Sequence, residues 1–63
     1  MTYSDAKQLI DWISDPKNRK PRASFTDYEV HFLKGAKYLV ARRKDLSARQ
    51  GQVLNSIYRR VAV

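Results

Sequence analysis

Apolar residues recur along this chain at the three- and four-residue spacing of helices in three separate stretches, and no stretch carries the alternation of a strand. In the first, Leu9, Ile10 and Ile13, with Ala6 a turn earlier, predict a helix over about 5–14. Thr2 or Ser4 can cap its start, and Asp5 suits the positive end of the helix dipole. Pro16 sets its limit, because the residue before a proline disfavours helical backbone. Trp12 stands at the edge of the stripe, where it either walls the core or anchors a partner.

The second stretch opens with "FTDYE", in which Thr26 as N-cap and Glu29 three residues on form a capping box. Phe25 and Val30 stand in staple register around it. Tyr28, Phe32, Leu33, Ala36, Leu39 and Val40 then predict the apolar face of a helix over about 27–44. Gly35 in its middle costs about 1 kcal/mol relative to Ala, and close approach of another helix is the expected reason. A second capping box, Ser47 with Gln50, opens a third helix over about 48–61, whose buried stripe is Val53, Leu54, Ile57, Tyr58 and Val61. Between the first two helices lies "DPKNRKPRAS", whose prolines predict a partly extended basic loop over about 15–25. The expected fold is all-α, one compact three-helix domain over residues 1–63.

Size and charge narrow the function. A chain of 63 residues builds one small core, and with no cysteine it has no disulfide or thiolate-held metal to reinforce it. Thirteen Lys and Arg face six Asp and Glu, a formal charge of +7 with a pI near 10.2, so polyanions are attracted from a distance. Nucleic acid is the first such partner, DNA ahead of RNA, with an anionic membrane surface second and an acidic protein surface third. No apolar run approaches the roughly 18–20 residues of a membrane span, and "MTYSDAKQ" lacks the pattern of a secretion signal. A cytoplasmic protein with no membrane partner is therefore expected.

Catalysis is not expected. There is one histidine, His31, without metal-ligand company, and no nucleophile–base set. Asp11 and Asp15 are four apart, but Asp15 precedes a proline; Asp27 and Glu29 are two apart and point different ways. No cofactor or metal is implied.

The cations carry more. Arg42, Arg43 and Lys44 end the second helix, and Arg59 and Arg60 the third, where positive charge suits the dipole. Lys34, Lys37 and Lys44 lie opposite the apolar stripe and keep that face wet, while Arg43 projects from the apolar side and can snorkel over the core edge. Lys17, Arg19, Lys20 and Arg22 in the loop suit a phosphate backbone, unless the loop is a plain solvated connector. Arg49, Gln52, Ser56, Arg59 and Arg60 share the polar face of the third helix and suit phosphates or base edges. His31, Gly35, Tyr38 and Arg42 form a stripe on the second helix that suits a protein contact or a stacked base.

"LSARQGQVLNSIY" resembles the opening helix of winged helix-turn-helix repressors, a helix that in that family supports the fold while a later one reads DNA. The chain ends at Val63, so the reading helix and wing are not expected here, and no DNA-contacting residue carries over. Residues 32–61 also look like a helical pair of small bacteriophage-encoded proteins, with "LSxxQxxxLxxIY" opening the second helix. That resemblance implies a phage accessory protein in the host cytoplasm. Its expected action is on nucleic acid or, in host takeover, on a host polymerase, nuclease or replication factor. Self-association into a homodimer through the second helix is a third expectation.

Overall fold

The Thr2 hydroxyl accepts from the Asp5 amide at 3.2 Å and opens α1 (Tyr3–Ser14). The helix starts two residues earlier than its apolar pattern suggests, because Asp45, far along the chain, accepts from the Tyr3 amide at 2.8 Å. Two of the amides that every helix N-terminus leaves open are thereby satisfied. The computed structural model describes all 63 residues: α1, a 3-10 turn (Pro16–Asn18), α2 (Asp27–Ala41) and α3 (Ala48–Val61), with no strand. The fold is all-α with three helices. No helix is long and apolar enough to cross a membrane.

Both capping boxes form with both arms. Thr26 Oγ1 accepts from Glu29 N at 3.1 Å while Glu29 Oε1 accepts from Thr26 N at 2.9 Å. Ser47 and Gln50 repeat the arrangement at 3.1 and 2.9 Å. Ten apolar residues are buried, and no polar or charged residue is. Ala6, Ile10 and Ile13 come from α1, Leu33 and Ala36 from α2, and Leu54, Ile57 and Val61 from α3, with Leu46 and Ala62 from the flanking turns. Ile13, Leu54 and Val61 are the largest fully buried side chains, each contributing about 1.5–3 kcal/mol.

Each chain end is fastened to the interhelix segment at its own end of the molecule. Leu46 N donates to Met1 O at 2.9 Å, and the Met1 ammonium donates back to Leu46 O at 3.2 Å. At the other end Lys20 N donates to Val61 O at 2.8 Å, and Val63 N to Asn18 O at 2.9 Å, around an Arg19–Ala62 bridge. The 15–25 segment is therefore neither a free arm nor a plain connector. It begins as a 3-10 turn capped by Asp15, whose Oδ1 accepts from Lys17 N at 3.0 Å.

Several expectations are corrected. α2 stops at Ala41, not near 44, because Arg43 takes a left-handed conformation (φ 57°). Lys44 N then reaches Leu39 O at 2.9 Å and Arg43 N reaches Val40 O at 2.9 Å, the paired bonds of a Schellman turn. Arg43 is exposed in that turn. Tyr28 is 66% exposed and is no part of the apolar face. Its position lies a quarter-turn or more from the line of Leu33, Ala36 and Val40, so the period admits it but the packing does not. Trp12, 46% exposed, does not wall the core. Val30 is also exposed, while Phe25 is half-buried against the core. No helix approaches Gly35: a Cβ placed there meets nothing within 4 Å. The closely approached glycine is Gly51, where a Cβ would stand 3.0 Å from Met1 Cβ.

The left-handed Arg43 yields a test of sign. The conformation costs a non-glycine residue about 1–2 kcal/mol, and the extra unfolded freedom of glycine offsets roughly 0.5–1 of that. Arg43→Gly is expected to stabilise the protein by up to about 1 kcal/mol, read as a higher urea midpoint. A lower midpoint would mean that the turn is not left-handed at 43.

Candidate nucleic-acid interface

From Leu46 to Val63 the chain contains no Asp or Glu. Because Leu54, Ile57 and Val61 face inward, Arg49, Gln52, Asn55, Ser56 and Arg59 are left on the outer face of α3, all exposed. Gln52, Asn55, Ser56 and Arg59 line one shallow polar depression. Arg49, Gln52, Ser56 and Arg60 line a second, between α3 and the start of α2, of about 560 Å³. Gln52 and Ser56 are common to both, so the two are continuous.

The loop cations lie near the C-terminal end of α3. The Arg19–Ala62 bridge holds residues 18–20 beside the last turn of α3, where Arg59 and Arg60 stand. Lys17, Lys20 and Arg22 are exposed there. Arg19 is partly engaged, its guanidinium 5.3 Å from the Phe25 ring centroid. Two basic patches separate in sequence thus share one end of the molecule.

Arg60 is not a free cation. It donates to Glu29 and, at 3.0 Å, to Ser24 O, tying the end of α3 to the cap of α2. Glu29 Oε1 thereby accepts from both Arg60 and Thr26 N. The Arg60 hydrogen bond, partly opposed by desolvation and aided by Thr26, holds the Glu29 carboxyl below its ordinary value. The other ion pair is Lys7–Asp11 at 2.6 Å, so all but two of the thirteen cations lack a carboxylate partner.

On α2, His31, Gly35 and Tyr38 line one groove of about 380 Å³ with Phe32, Leu39, Leu46 and Gln50. Arg42 stands outside that lining and instead donates to Tyr38 Oη at 2.9 Å, its guanidinium 5.3 Å from the ring centroid. The four stripe residues are therefore contiguous, with Arg42 and Tyr38 as a stacked pair. No group of three or more His, Cys, Asp or Glu side chains gathers anywhere in the fold.

One residue of this region is missed by the helical pattern. Tyr28 lines the α2–α3 groove opposite Arg49 and Gln52. A sharper reading of the phase of α2 would have found it, since Tyr28, Gly35 and Arg42 are spaced seven apart and share the solvent side. Comparison with protein-family models, curated proteins and solved structures found no match to this chain.

The Glu29–Arg60 tie gives a pH test. A carboxyl with a lowered folded pKa contributes stability that is present above its ordinary value of 4.5 and is lost as pH falls through its folded value. Glu29→Gln is expected to lower stability near neutral pH by about 1 kcal/mol or less, since Arg60 is half-exposed. The two proteins should converge in urea midpoint below the carboxylate range. A difference that persists unchanged at low pH would show that the charge of Glu29 contributes nothing.

Proposed function

We propose that this chain is a small basic module that binds nucleic acid largely through electrostatic contacts to phosphate, DNA ahead of RNA. The observation that carries this reading is the carboxylate-free outer face of α3, running from Arg49 to Arg59 and extended by the docked loop cations. Cations on a helix face neutralise phosphates and release condensed counterions, which favours binding without sequence reading. Placement adds to this, because residues 18–20 are hydrogen-bonded within the chain to Val61 and Val63. Gln52, Asn55 and Ser56 supply neutral donors and acceptors between the charges. The likeness of residues 32–61 to a helical pair of small phage-encoded proteins supports a role, on this reading, as a phage accessory protein of the host cytoplasm.

The test is the slope of log affinity against log salt on a DNA duplex. Removing one phosphate contact makes that slope shallower by about one, so Arg49→Gln with Arg59→Gln should flatten it by about two. Neutralising Lys17, Lys20 and Arg22, which leaves the Arg19–Phe25 contact in place, should flatten it further. Absent or salt-insensitive binding sinks the reading.

A second reading, docking on an acidic protein of the host nucleic-acid machinery, has one observation in its favour. His31, Gly35 and Tyr38 meet in one groove, and nothing within the chain fills the space over Gly35. On this reading Tyr38→Ala and His31→Ala abolish capture of such a partner and leave polyanion binding intact. Normal capture by both variants removes it.

A further inference from the structure

The α2–α3 groove differs from the rest of the basic surface in having an aromatic rim. Tyr28 stands on the α2 side, 66% exposed, and its side chain belongs to no part of the packed core. Arg49 and Gln52 face it from α3, and Val53 and Ile57 supply the apolar depth between them. The volume, about 560 Å³, is within the roughly 300–1,000 Å³ range of small-ligand sites. The one carboxylate of the lining, Glu29, is held by Arg60, so the groove keeps a net positive charge from Arg49. Asp27, the neighbouring acid, lies outside the lining.

An exposed aromatic ring, an apolar floor, an amide and a cation are the parts that receive a flat heteroaromatic ring with a phosphate attached. The ring stacks on the tyrosine, the amide meets the base edge, and the arginine meets the phosphate. A base inside a duplex cannot offer its face to such a ring, because its neighbours in the stack cover it. We infer that this groove takes an unpaired nucleobase stacked on Tyr28, and so gives the module a preference for single-stranded over duplex nucleic acid. The inference rests on the nucleic-acid reading above and adds to it a binding residue and a substrate class. The outer α3 face and the loop cations serve either strand state, whereas Tyr28 serves only the single strand.

The test compares a labelled oligothymidylate with a labelled blunt duplex by fluorescence anisotropy, using the whole chain and its Tyr28→Ala, Tyr28→Phe and Arg49→Gln variants. Losing one base–aromatic stack weakens binding by about tenfold or more. Tyr28→Ala should show that loss on oligothymidylate and leave duplex affinity unchanged, Tyr28→Phe should retain wild-type affinity, and Arg49→Gln should weaken both probes. The exposure of Tyr28 allows the Ala variant to keep the wild-type thermal midpoint, which is measured alongside. Equal weakening of both probes by Tyr28→Ala, or no weakening of either, overturns the inference while the phosphate-binding reading stands. Wild-type protein that binds neither probe overturns both.

Discussion

Ten buried side chains must hold a 63-residue chain together, and every one of them is apolar. Native proteins are stable by only about 0.05–0.15 kcal/mol per residue, so a core of this size tolerates little fraying at the ends. The two terminal clasps answer that constraint. Met1 pairs with Leu46 in both directions while Asp45 caps Tyr3, and the segment at residues 18–20 pairs with Val61 to Val63. Each clasp joins an end of the chain to the segment between two helices. Leu46 and Ala62, one at each clasp, are turned inward and complete the core.

The same constraint shapes the surface. The acids are engaged in folding: Asp45 caps α1, Asp15 caps the 3-10 turn, Glu29 completes a capping box and holds Arg60, and Asp11 pairs with Lys7. Asp5 and Asp27 stand in the first turns of α1 and α2, where negative charge suits the dipole. The cations have few such duties, apart from Lys7, Arg60, Arg19 over Phe25 and Arg42 over Tyr38. The excess of positive charge is therefore displayed outward, and α3, which has no acid, carries Arg49 and Arg59 on its outer face.

The features legible in the sequence are local ones. Both capping boxes form where "FTDYE" and "LSARQ" place them, because cap and partner lie within one turn and need no tertiary support. The stripe of α3 is legible because its apolar positions are few and evenly phased. The α2 stripe is legible too, with Leu33 and Ala36 buried and Phe32, Leu39 and Val40 packed against the core, except at Tyr28, which the period admits and the packing leaves exposed. The end of α2 is hidden because an arginine occupies the left-handed position where glycine would ordinarily announce it.

The candidate sites divide in the same way. Three helices, their caps and the inward residues of α3 follow from the order of residues alone, and with them the charge excess and the outward set Arg49, Gln52, Ser56 and Arg59. Helical period and side-chain chemistry suffice for that, because both act over a few residues. Packing between helices was needed to bring the loop cations beside the end of α3, to tie Arg60 to Glu29, to leave Gly35 open and to set Tyr28 on the rim of a groove. Those outcomes depend on which face of each helix finds room against its neighbours, a competition between distant segments that no local pattern records.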